Sequence, residues 1–372
     1  MRARIVSIED ISVDEIVKWN EWAAPAGTLI SPYLRFEFTE AVARARSDVR
    51  IAVFEDADGL AGFFPHHRRR EGVIRPVGAP MSDYQGVIAR DYSRFAPRDL
   101  LKAAGASALV FDNWYCGAGG HKPSRRSREG SVMVDLSAGA ETYFSEQRAR
   151  FKDHFKKAQR RQRAAEREYG PVRVEIGDAG GQAYDALMRW KRRQYRETGK
   201  LDVLGIDWVQ NVLTDLRRRA GQEFGGMTAS LWFGDRLAAV EFGLKGGDIY
   251  HSWFPAYDPE FAKFSPGLLL LHGIFEQAGA HGVSKIDLGR TGAQYKKYYT
   301  SYEIPLDQGR FLQPGLASMG IYGWEQAELA AQLLPPKLAA LPGRIRRRWA
   351  QVSAFQPQFP QRVASLATSF SL

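Results

Sequence analysis

The sequence has 372 residues, 44% of them hydrophobic and 25% charged, with a net charge of +10 and a single cysteine. That length allows two ordinary domains with cores of their own, and the residue balance excludes a disordered chain. The lone Cys116 excludes an intrachain disulfide and any cysteine-built zinc or iron–sulfur site, so no metal is expected. The positive charge points to an anionic partner: a phosphorylated cofactor, RNA or a membrane surface.

In chain order, residues 1–19 alternate charged and apolar positions and lack the apolar core of a signal peptide, and the longest apolar run, 268–271, is far too short for a bilayer. A cytoplasmic protein is expected. Residues 50–54 and 60–64 read as two strands around an acidic turn, followed by a strand at 73–77 and the pair Asp83–Tyr84. An apolar strand at 132–136 gives way to a Ser-Ala-Gly-Ala turn, the expected boundary between two related α/β modules. The segment 151–169 reads as a helix with Phe151, Phe155, Ala158, Ala165 and Tyr169 on one face and Lys152, Lys156, Arg160, Arg163 and Arg167 in a stripe on another. That stripe is either a solvated surface or a grip on phosphates or RNA.

Two more helices, 182–196 and 207–219, lead to strands at 228–233, 237–244 and 249–254, which repeat the layout of the first half and end on the pair Tyr257–Asp258. The turn Lys263-Phe264-Ser265-Pro266-Gly267-Leu268 then opens a helix. Ser265 is expected to cap it, Pro266 suits its first position, and Gly267 lets a ligand approach the backbone. Free N–H groups, the helix dipole and Lys263 would make this an anion site. A strand at 284–288, a tyrosine-rich helix around Tyr295-Lys296-Lys297-Tyr298-Tyr299 and a strand pair at 302–311 follow. The tail holds a helix at 324–333, a Pro-Pro break and the basic run 344–349; that run is read mainly as a basic tail, with contact to a membrane surface or an anionic partner as the functional alternative.

The run Tyr257-Asp258-Pro259-Glu260-Phe261, then Ser265-Pro266-Gly267-Leu268, then Ile286-Asp287-Leu288-Gly289-Arg290 and Tyr295-Lys296, resembles the CelD-like branch of the GNAT acyltransferases, a group related to the FemAB transferases. The resemblance covers roughly residues 40–312. It implies an α/β fold of two GNAT-like lobes, each a mixed, mostly antiparallel sheet flanked by helices: lobes at 1–140 and 141–312, and a basic helical tail at 313–372. It also implies an acyltransferase that takes acyl-CoA, with acetyl-CoA the first expectation, and transfers the acyl group to a sugar or an envelope or exopolysaccharide precursor. Here the turn keeps one cation and one glycine of the usual pyrophosphate loop. A FemAB-like donor would be aminoacyl-tRNA, which the basic stripe would serve; a non-catalytic binding protein of a polysaccharide synthase is the third reading.

Acyl transfer needs a base, oxyanion donors and an acid for the leaving group. Glu241 and His251, in neighbouring strands, are the candidate bases. Asp287, at the end of an apolar strand, either orients substrate or pairs with Arg290. Tyr295 and Tyr298 are the candidate acids, as the GNAT resemblance implies. Trp253, Phe254, Lys263, Ser265, Gly267 and Leu268 are expected around the donor, and Asp83, Tyr84, Asp258, Arg290 and Lys296 around the acceptor. The sequence has no Gly-x-Ser-x-Gly elbow, Walker lysine loop or His-Glu-x-x-His motif, and Gly117–Gly120 lacks the spacing of a dinucleotide fingerprint. Cys116 is expected to be a small buried hydrophobe.

Overall fold

A computed structural model describes residues 1–68, 71–221, 223–333, 336–356 and 362. Its elements begin with β1 (Arg2–Val6), α1 (Val13–Ala23), α2 (Phe36–Ala45), β2 (Val49–Asp56), β3 (Gly59–His67), β4 (Val73–Pro76) and β5 (Ile88–Ala89). Next come α3 (Pro97–Ala103), β6 (Ala108–Trp114), β7 (Ser124–Asp135), α4 (Ala140–Arg150), α5 (Lys152–Tyr169), β8 (Val172–Ile176), α6 (Gln182–Glu197) and α7 (Asp207–Arg218). The rest are β9 (Phe224–Phe233), β10 (Arg236–Gly246), β11 (Ile249–Tyr257), α8 (Pro266–Gln277), β12 (Lys285–Arg290), β13 (Tyr302–Leu312), α9 (Leu316–Ala331) and α10 (Pro336–Phe355). These form mixed sheets flanked by helices, an α/β fold.

The chain divides into two compact units, neither continuous in sequence. One comprises Met1–Ala23, Val42–Arg128 and Leu306–Leu372, the other Ala24–Ala41 and Glu129–Pro305. In the first unit, β1, β2 and β3 are antiparallel neighbours, β3 also pairs β5, and β4 runs parallel to β6. Its core gathers Phe54, Phe64, Leu101, Leu109, Phe111 and Trp114. Cys116 sits at the edge of that core. It is half-buried rather than a plain hydrophobe: its thiol donates to Asp307 at 3.2 Å, and Asp307 also takes Arg128 at 2.8 Å.

In the second unit the strand order is β7-β12-β11-β10-β9-β8, antiparallel except for the parallel pair β11 and β12. Turns at Gly234 and Gly247, both at positive φ, link β9 to β10 and β10 to β11, so short connections give antiparallel neighbours. The crossover through α8 gives the parallel one. α8 is apolar almost all round, with Leu269, Leu270, Leu271, Ile274 and Phe275 buried, because it lies in the main core with Phe144, Phe155 and Leu231. Gly273 lets it close on β8, since a Cβ there would stand 2.4 Å from the Val174 side chain.

Three local expectations differ from the structure. The strand pair at 302–311 is one strand, β13, of eleven residues. The tyrosine-rich helix is a single short 3-10 stretch, Gln294–Tyr298. The tail helix starts earlier, at Leu316, and the basic run lies within α10; the side chains of Arg344, Arg346 and Arg347 fall outside the described residues, as does Pro335 of the Pro-Pro break.

Candidate active site

The parallel pairing of β11 and β12 stops early. Ile249 pairs with Lys285, Tyr250 with Ile286 and His251 with Asp287, and there the ladder ends. Beyond it β11 follows β10 as far as Tyr257, while β12 follows β7, with a register shift between Asp287 and Arg290. The strands therefore part at His251 and Asp287, and the β12-facing backbone of Ser252–Phe254 faces a split rather than a strand. β11 also carries one extra residue against β10 between His251 and Phe254, a bulge that bends it at the same point.

Candidate side chains converge on this split. His251 is fully buried, with Nδ1 3.5 Å from Asp287 Oδ2 and its ring edge-on to Tyr33 at 5.0 Å. Asp287 does not pair with Arg290: Oδ1 accepts from Ser131 Oγ at 2.6 Å and from the Gly289 N–H at 2.7 Å. Arg290 pairs with Glu129 at 2.9 Å, and its carbonyl accepts Lys296 Nζ at 2.6 Å. Asp287 thus anchors one wall of the split, and Lys296 ties the next loop to it.

Glu241 faces inward and is 4% exposed; its Oε1 accepts from Tyr250 Oη at 2.9 Å. Burial raises its pKa above the ordinary glutamate range, against the opposing effects of Tyr250, Ser252, His251 and Lys191. Lys191, from α6, was not foreseen from the sequence: its Nζ donates to the Pro255 carbonyl at 2.9 Å, opposite Glu241 in the ladder, and burial lowers its pKa. Tyr295 reaches solvent along one edge, yet burial and then the charge of Glu241 push its pKa up to about 12, so its hydroxyl is protonated at neutral pH.

Trp253 is half-buried beside Tyr33 at 5.3 Å, and Phe254 is buried against Trp253 at 4.8 Å. Tyr298 stacks on His154 at 4.0 Å. Its neighbour Tyr299, which the sequence reading did not single out, is the fully buried tyrosine of the three. Its hydroxyl lies 2.8 Å from His154 Nε2 and 2.7 Å from His272 Nε2. The signal for this was two lone histidines on helices far apart in the chain, α5 and α8, which no spacing rule joins.

The turn before α8 departs from expectation in two ways. Ser265 does not cap with its side chain; its backbone is left-handed at φ 55°, the one non-glycine at positive φ among the described residues. The N–H groups of Leu268 and Leu269 are drawn to the Ser265 carbonyl at 2.9 and 3.3 Å, and Lys263 is paired with Glu168 at 2.8 Å. Gly267 is the open point, with nothing within 4 Å of where a Cβ would stand. The turn thus offers only a reduced cradle for a donor's phosphates, centred on Gly267. Asp258 caps the 3-10 turn Pro259–Phe264 by accepting from Glu260 N at 3.0 Å. Asp83 and the buried Tyr84 belong to the first unit, whereas the other candidates all lie in the second.

Residues 152–297 match the family model described as acetyltransferase (GNAT) domain. None of the curated proteins compared with the sequence matches it. Among solved structures, FemX shares 11% identity over 87% of this chain and 99% of its own, with a TM-score of 0.52. A conserved protein of unknown function from Bacteroides thetaiotaomicron shares 10% over 84% of this chain and 100% of its own, with a TM-score of 0.51. At such identities the likeness is one of fold. Together with the matched stretch it supports a GNAT-like transferase. Among the described residues no helix is long and apolar enough to cross a membrane.

Proposed function

We propose that the second unit transfers an acyl group from acyl-CoA to an amine or hydroxyl of a sugar or an envelope or exopolysaccharide precursor, as a CelD-like GNAT enzyme working in the cytoplasm. The observation that carries this reading is the parting of β11 and β12 at His251 and Asp287, with the buried carboxylate of Glu241 and the protonated Tyr295 beside it. A raised carboxylate pKa makes Glu241 the stronger base, and Tyr295 holds a proton at its Oη. In the reaction Glu241 takes the proton of the attacking amine or hydroxyl. The new bond forms to the acyl carbon, the carbon–sulfur bond breaks, and Tyr295 returns a proton to the departing sulfur. Backbone N–H groups of the split β11 strand would hold the oxyanion, and the open backbone at Gly267, with the Ser265 hydroxyl beside it, the donor's phosphate end. His251, with Nδ1 3.5 Å from Asp287 Oδ2, stands at the branch point of the strand, and Arg290, Lys296 and Asp258 are the acceptor-side candidates of this unit.

Binding of acetyl-CoA or a longer acyl-CoA is expected to raise the melting temperature by mass action. Unchanged melting at millimolar donor would exclude acyl-CoA. Glu241→Gln is expected to lower kcat about a hundredfold or more with donor binding intact. A second reading, an aminoacyl-tRNA donor, is favoured by the α5 stripe: Lys152, Lys156, Arg160, Arg163 and Arg167 are all exposed. It predicts tRNA that co-purifies at low salt and is released as salt rises.

A further inference from the structure

α9 presents an apolar stripe to solvent. Leu316 is 88% exposed, Met319 68%, Tyr322 54% and Leu329 56%, and Leu333, just past its end, is 90% exposed. At 100° per residue the four helical positions fall within an arc of about 140°, and between them lie Gly323, Gln326 and Ala330. No charge interrupts the stripe. The helix has two charged residues, Glu325 and Glu328; both fall outside the arc and are half-buried, and Glu325 is held by Arg310 Nη2 at 2.6 Å. Isolated surface leucines are ordinary, but an uninterrupted stripe of this length marks an interaction surface.

The charge that follows selects the partner. From Leu329 to Leu372 the sequence carries no acidic residue, and Lys337, Arg344, Arg346, Arg347 and Arg348 supply its charge; its other cation, Arg362, is buried and paired with Glu71 at 2.9 Å. α10, which packs on α9, opens that segment. A second copy of the chain would bring its own net charge of +10 against it. A surface that offers hydrocarbon just beneath a layer of negative charge complements both features at once. We propose that α9 lies in the headgroup region of an anionic lipid bilayer, with its Leu316–Met319–Tyr322–Leu329 stripe inserted and the acid-free basic segment held against the lipid phosphates. This makes α9 the inserting element, with the basic segment as its electrostatic support, and it stands apart from the reading of the active site.

The test is sedimentation of the full chain with vesicles of phosphatidylcholine, alone or with about one-third phosphatidylglycerol. Binding to the anionic vesicles is expected to exceed that to neutral ones about tenfold or more and to weaken with salt. The exposed triple change Leu316→Gln, Met319→Gln, Leu329→Gln is expected to abolish most of it while the melting temperature stays unchanged. Three outcomes overturn the proposal: no preference for anionic vesicles, binding that survives the triple change, or a concentration-dependent dimer dissolved by it, which would assign the stripe to a second copy. Donor binding and turnover, assayed without vesicles, report on the active site separately.

Discussion

Gly243 decides where the Tyr250 ring lies. A Cβ at that position would stand 2.2 Å from the ring, which is fully buried and has nowhere to retreat, so glycine is what lets Tyr250 cross the strand and reach Glu241. Gly243→Ala is expected to cost about 1–3 kcal/mol in urea unfolding and to impair turnover with it. Tyr250→Phe isolates the electrostatic part. The hydroxyl stabilises the ionised form of Glu241, so its loss raises that pKa further. Because the base must be ionised, activity falls as pH falls through this pKa. The acid limb of the kcat profile is thus expected to lie above the ordinary glutamate range and to move up again in the variant; an unshifted limb would remove Glu241 from the reaction. The strand positions of Glu241 and His251 were legible in the sequence because the turns around them were plain. Lys191 was not, because a lysine on a charged helix face looks solvated until the Pro255 carbonyl is found beside it.

At the scale of elements, α5, α8 and the stretch Gln294–Tyr298 meet through His154, His272 and Tyr299. One hydroxyl has one proton to give, so the two histidines take opposite roles toward it, and the arrangement has a direction. Tyr299→Phe is expected to cost about 1–3 kcal/mol by leaving buried polar atoms unpaired. Burial pushes the His272 pKa down to about 3. The unfolded chain protonates this histidine below about pH 6.5 while the folded one resists, so stability is full above that pH and declines as pH falls toward the folded value. Urea midpoints between pH 7.5 and 5 should show the decline, and His272→Gln should lessen it. The hairpins β9–β10 and β10–β11 were readable from turn residues and alternation, and α5 from its apolar face. The Ser265 turn was not: serine before proline signals a cap, and only the folded backbone shows the left-handed residue that replaces it.

For the whole molecule, the units are discontinuous, a property that a linear reading of composition does not display. Ala24–Ala41 belongs with Glu129–Pro305, and it supplies Tyr33 and Phe38, which pack edge-on at 4.9 Å and cover His251 and Trp253. A fragment of residues 129–305 is therefore expected to aggregate or to melt well below the full chain. Joining residues 24–41 to it through a flexible linker should restore much of the difference, measured by thermal melting; a fragment as stable as the whole would show that segment to be dispensable.

The same arrangement sets a timetable for synthesis. Tyr33 and Phe38 leave the ribosome early, while β11, which carries His251 and Trp253, is completed only at Tyr257. At ordinary translation speeds this is a wait of roughly ten to forty seconds, during which two large aromatic side chains have no native surface to cover. A nascent chain held in that state is a client for a chaperone, and slowing translation would lengthen its exposure.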